Sequence, residues 1–129
     1  MTKILTLLLL LSSMAFSLDW AKNLDTALSK AKREHKTLMV FVEGEHCRWC
    51  KKMKHRTISD DAVEKRLEKF VVVEVMRENV QAMSHLPSVR GVPTIFFMKA
   101  DKTVLEEVIG YFCVEDFLSY IDDVEKKTR

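Results

Sequence analysis

Cys47-Arg48-Trp49-Cys50 is the segment of this chain with a chemistry of its own. Two thiols three residues apart, on the first turn of a helix, share one side and come within reach of a disulfide. A helix N-terminus offers unpaired backbone N–H groups and a partial positive charge, both of which favour thiolate over thiol. Cys47 comes first and is expected nearer solvent, as the nucleophile; Cys50, one turn in, is expected to resolve. A Cys47 thiolate attacking a disulfide would form a mixed disulfide, and Cys50 would release the partner by closing the Cys47–Cys50 bond. A purely structural disulfide is disfavoured because so small a loop restrains the unfolded chain little. Zinc would need two further ligands, and the chain has no second C-x-x-C. Lys51 stands where C-x-x-C-H haem attachment needs histidine.

The elements around this pair read as α/β. Trp20, Leu24, Ala27, Leu28 and Ala31 recur at helical spacing, predicting a helix over 19–35 with Asp19 as N-cap. Residues 37–43 form an apolar run of strand length ended by Gly44, and 70–76 read as a buried, parallel strand. Between them the sequence predicts a helix over 47–57 and a further short one capped by Ser59. Residues 79–86 suit a short helix stopping before Pro87. Residues 94–98 and 104–109, joined by a short polar turn, must pair antiparallel. Val114, Phe117, Leu118, Ile121 and Val124 make one stripe of a final helix. The order α-β-α-β-α-β-β-α implies a mixed central sheet with helices on both faces. Sites in such sheets lie beyond the carboxyl ends of the strands, where Gly44-Glu45-His46-Cys47 falls.

Composition narrows the function further. The chain has 129 residues, 47% hydrophobic and 31% charged, with three cysteines. That is one globular domain, neither a disordered chain nor a disulfide-stapled one. A net charge of +2 lacks the basic excess of phosphate-backbone binding, so no nucleic-acid partner is expected. Lys3, the apolar run from Ile4 to Leu11 and Ala15-Phe16-Ser17 read as a signal peptide over 1–17, leaving a domain over 18–129. The apolar run is too short to span a bilayer, so no stable membrane anchor is expected after cleavage. Export would place the protein in the periplasm or outside the cell, where disulfides persist.

A second motif, Val89-Arg90-Gly91-Val92-Pro93-Thr94, leads into the apolar Ile95-Phe96-Phe97. Together with Cys47-Arg48-Trp49-Cys50 it resembles the thioredoxin family, over residues 37 to 110. Glu45 to Met53 followed by Thr57-Ile58-Ser59-Asp60 is similar to the C-terminal periplasmic domain of DsbD-type thiol:disulfide interchange proteins and to small exported thioredoxin-like proteins. The resemblance implies a cis Pro93 facing the cysteines, which X–Pro bonds tolerate at modest cost. It also implies that the Val92 backbone pairs with substrate main chain. Such proteins carry a buried acid six residues before the first cysteine; here that position is Phe41, with Glu43 and Glu45 as substitutes to consider.

Several residues around the pair have two readings. His46 and Arg48 flank the nucleophile and would lower its pKa, making the pair more oxidising, while Glu43 and Glu45 act oppositely. Lys51, Lys52, Lys54 and Arg56 read as a solvated basic face. Trp49 either meets partner proteins or packs on its own domain. Met53 reads as core, and Cys113 as a buried, inert thiol. The leading function is an exported thiol-disulfide oxidoreductase acting on protein disulfides or dithiols, more as reductase than oxidase. No bound cofactor or metal is expected, and a membrane-bound or soluble redox partner would supply electrons. Two alternatives stand beside it: a copper carrier using the thiolates with Met53, His46 or His55, and a binding module with incidental cysteines.

Overall fold

The computed structural model describes residues 17–129; the signal peptide expected over 1–17 thus lies almost wholly outside the described residues. Five strands form one sheet, in the order β1-β3-β2-β4-β5. They are β1 (Trp20–Ala21), β2 (Leu38–Glu43), β3 (Val71–Met76), β4 (Thr94–Met98) and β5 (Val104–Ile109). β2 and β3 run parallel with Val40 opposite Val73, and β4 pairs antiparallel with both β2 and β5. The helices are α1 (Leu24–Glu34), α2 (Arg48–Lys52), α3 (Asp61–Leu67), α4 (Val80–Met83) and α5 (Val114–Lys127). A π-helical segment, Met53–Ile58, continues α2 without a break.

Strand alternation sorts the core into two layers. On one face Met39 and Phe41 of β2, with Ile95 and Phe97 of β4, pack against Cys50, Met53, Leu67, Phe117 and Ile121. On the other, Leu38, Val40 and Val42 meet Leu24, Ala27 and Ala31 of α1. Helices therefore cover both faces, and the active-site helix shares its layer with α5. Met53 is fully buried, as its helical position predicts.

Three boundaries differ from the sequence reading. The first helix begins at Leu24, because Asn23 rather than Asp19 caps it, accepting the Thr26 N–H at 2.8 Å. Trp20 and Ala21 instead add a two-residue strand alongside Val72 and Val73. Trp20 mimicked the helical stripe because it too is apolar, but it packs on the layer opposite α1. Asp60, not Ser59, caps α3, its carboxylate accepting the N–H groups of Ala62 and Val63; Ser59 ends the π-helical segment. The expected helix over 79–86 is the single turn of α4, capped by Asn79.

Candidate active site

β2 ends at Glu43, and the chain turns sharply into α2. Gly44 is closely approached there: a Cβ would meet Arg77 Nε at 3.0 Å, Val92 Cγ2 at 3.2 Å and Glu78 Oε1 at 3.3 Å, so these side chains would have to shift by a few tenths of an ångström. The next backbone N–H, that of Glu45, donates to Glu78 Oε1 at 3.0 Å. That bond is the chief reason the Glu78 carboxyl sits below its ordinary pKa. His46 then takes a left-handed φ of 56°, which reverses the chain and delivers Cys47 to the helix start.

Cys47 is the N-cap residue of α2, and its Sγ accepts the Cys50 N–H at 3.2 Å. The two cysteines form a disulfide with Cα atoms 5.3 Å apart. They are not equivalent: Cys50 is 2% exposed, whereas Cys47 is half-buried at the layer's edge. An incoming sulfur can reach Cys47 but not Cys50. Cys47 is thus the more solvent-accessible of the two, the order of exposure expected from the helix position.

Trp49 is 53% exposed and points away from the core. Its ring lies 5.6 Å from that of Tyr111 at a 46° tilt, and Lys52 Nζ sits 4.4 Å from its centroid. Aromatic and cationic neighbours together hold an otherwise free indole in one place. Beside it, Trp49, Val92, Pro93, Gly110 and Tyr111 line a shallow groove of 370 Å³. The Val92–Pro93 peptide is cis. The loop is tied down on both sides of that bond. Thr94 Oγ1 donates to the Gly91 carbonyl at 2.7 Å, and the Gly110 N–H donates to the Pro93 carbonyl at 2.8 Å. Gly110 has a φ of 95°, where a side chain would be strained.

Tyr111 was not among the residues singled out from the sequence. Its signal was the hairpin register: Thr94 lies opposite Ile109, so the chain leaving β5 must pass Pro93. The segment following it is fastened to the active-site helix. Phe112 offers its carbonyl to Thr57 Oγ1 at 2.6 Å and its N–H to Met53 Sδ at 3.5 Å. Both partners lie on the π-helical segment, whose wider turn brings them to one residue.

Phe41, six residues before Cys47, is fully buried among apolar side chains. Glu43 is engaged elsewhere, its carboxylate 2.9 Å from Lys54 Nζ, which also lies 3.4 Å from Glu74. Burial by itself would lower the Lys54 ammonium, but the Glu43 hydrogen bond and the charge of Glu74 outweigh it and hold it above the usual lysine value. Glu45, His46 and Arg48 are exposed. Cys113 is exposed, against the buried position expected of it. It is the N-cap residue of α5 and makes no side-chain cap bond; the stripe of α5 begins one residue later, leaving its thiol outside the core. Among the described residues, no group of three or more His, Cys, Asp or Glu is gathered to hold a metal ion. Among the same residues no helix is long and apolar enough to cross a membrane.

A C-x-x-C disulfide on a helix N-terminus, at the carboxyl end of a mixed sheet, defines a thiol-disulfide oxidoreductase. Residues 19–100 match the family described as thioredoxin-like, and the chain belongs to that family. It is 29% identical over 96 residues to the thiol:disulfide interchange protein DsbD of Actinobacillus pleuropneumoniae, covering 69% of this chain but 16% of that protein. A thioredoxin from Thermus thermophilus is similar with a TM-score of 0.72 and 28% identity, covering 84% of this chain and 87% of that one. The oxidised DsbD C-terminal domain of Neisseria meningitidis shares the fold, with a TM-score of 0.62 and 21% identity over 76% of this chain and 90% of that one.

Proposed function

We propose that residues 18–129 form the mature, exported enzyme and that it reduces disulfides of partner proteins. The observation carrying this reading is the asymmetric pair beside an open groove: Cys47 half-buried, Cys50 2% exposed, and Trp49, Val92 and Pro93 alongside. In the reduced enzyme the Cys47 thiolate attacks one sulfur of a substrate disulfide. That S–S bond breaks, one substrate thiolate leaves and takes a proton, and a mixed disulfide forms. Cys50 loses its proton to solvent, attacks the Cys47 sulfur and expels the second substrate thiolate. Two electrons have then passed to the substrate, and the Cys47–Cys50 disulfide remains. A dithiol of a redox partner, membrane-bound or soluble, returns the electrons by the same exchange in reverse.

The main chain of Val92 is the element suited to pair with an extended substrate segment, with Trp49 and Pro93 supplying its apolar floor. Arg48, next to the nucleophile in sequence, is a cation that favours its thiolate, and the exposed His46 on its other side adds to this when protonated. Export is supported by the charged, apolar and small-residue sequence of the first 17 residues, and thiol-disulfide exchange by likeness to a protein named for thiol:disulfide interchange. The test is insulin reduction followed by turbidity, with dithiothreitol as electron source. The wild-type chain is expected to accelerate precipitation and Cys47→Ser to leave it at the background rate. Equal rates for the two proteins would overturn the reading.

A further inference from the structure

We infer that the active-site face selects acidic polypeptide segments: a substrate disulfide flanked by Asp or Glu docks and reacts faster than one flanked by Lys or Arg. This rests on the oxidoreductase reading above and names the substrate class for the same site. Between Glu45 and Asp60 the chain carries Arg48, Lys51, Lys52, Lys54 and Arg56 and no acid. Arg48, Lys51 and Lys52 stand at i, i+3 and i+4, so they share one helix face. Cys50 and Met53 are buried on the other side, which turns that basic face outward.

Elsewhere cations near the sheet are neutralised. Lys54 is clasped by Glu43 and Glu74, Arg66 by Asp122 and Glu125, and Lys127 by Glu106. Among the described residues no carboxylate comes within ion-pair distance of Arg48, Lys51, Lys52 or Arg56. Lys52 lies against Trp49, which lines the substrate groove, and exposed Arg90 sits on the loop that carries Val92 and Pro93. On the loops beside the groove, Glu78 is joined to Arg77 and to the Glu45 N–H, and Glu45 is exposed. A peptide laid along the groove thus meets unpaired cations beyond Trp49, and carboxylates flanking its cysteines supply the complementary charge.

The experiment compares two peptides containing the same internal disulfide, one flanked by aspartates and one by lysines. Pre-reduced enzyme is mixed with each by stopped flow, at about 20 mM and about 0.5 M salt, where screening lengths differ severalfold. The aspartate peptide is expected to react about tenfold faster at low salt, with the ratio falling towards unity at high salt. In the double variant Lys51→Glu, Lys52→Glu the preference is expected to vanish or invert. Using the ratio of the two peptides cancels any change in the reactivity of Cys47 itself, and circular dichroism confirms folding. A ratio near one at low salt, a ratio indifferent to salt, or a ratio unmoved in the variant would overturn the selectivity while leaving the oxidoreductase standing. Failure to reduce either peptide would overturn both.

Discussion

Reducing the Cys47–Cys50 disulfide is the smallest perturbation of this site, and its cost to stability can be worked out. The bond joins residues three apart in sequence. For a loop that small, the chain-entropy relation gives about 1.5–2 kcal/mol of stabilisation for the oxidised fold, through restriction of the unfolded chain. Against it acts the N-cap position of Cys47, where a thiolate at a helix N-terminus is favoured by about 0.3–1 kcal/mol in the reduced fold. The balance leaves the oxidised protein more stable by about 1 kcal/mol, equivalent to a couple about 20 mV more reducing in the fold than in the unfolded chain. With a urea m-value of about 2 kcal/mol/M, its midpoint should lie about 0.5 M higher. The assay is urea unfolding of both redox forms, followed by far-UV circular dichroism. A reduced form that unfolds at the higher midpoint would refute the reasoning. It would mean that the charges around Cys47 outweigh loop entropy and that the pair is poised as an oxidant.

Three further outcomes are expected. Glu78→Ala frees the Glu45 N–H and should slow insulin reduction, with Glu78→Gln retaining the bond at neutral pH. Because the Glu78 carboxyl is held below its ordinary pKa, chiefly by that N–H, its contribution is complete above about pH 4.3 and lost as pH falls through the lower folded value. The difference in melting temperature between wild type and Glu78→Ala should therefore shrink as pH falls below about 4.3; a difference that stays constant as the solution is acidified would contradict this. Lys54→Met removes the cation between Glu43 and Glu74 and should cost about 1 kcal/mol after solvent screening, or about 4 °C in Tm. Since the Lys54 pKa is raised in the fold, this contribution is present below about pH 10.4 and lost as pH rises through the folded value. A wild-type advantage that does not shrink as pH rises above about 10.4 would contradict it. Finally, the mature protein recovered from an exporting host should begin at Leu18 by intact mass; a chain still carrying Met1 would contradict cleavage after Ser17.

The cysteine motif was legible from the sequence because it rests on a local rule, thiol spacing on one helical turn; the Val92-Pro93 motif was legible through its resemblance to the thioredoxin family. The β2–β3 and β4–β5 pairings were legible from β-branched runs and a short turn. What escaped depends on long-range contacts. The two-residue β1 exists only because Val72 and Val73 offer a free edge, which no periodicity in residues 19–35 reveals. Tyr111 joins the site through the register of a hairpin rather than through a motif. Cys113 looked like core because cysteine is usually buried, yet its place one residue before α5 exposes it. Glu78, whose carboxylate holds the active-site loop from 33 residues away, carries no local signal at all.

The most direct measurement is capture of the mixed disulfide. Cys50→Ser cannot resolve the intermediate, so incubation with a disulfide-bearing protein should accumulate a covalent adduct, and peptide mapping should place the partner's sulfur on Cys47. Removing Cys113 by Cys113→Ser should leave the yield unchanged. An adduct on Cys113 instead, or none on Cys47 under conditions that oxidise the wild-type pair, would contradict the assignment of Cys47 as the nucleophile.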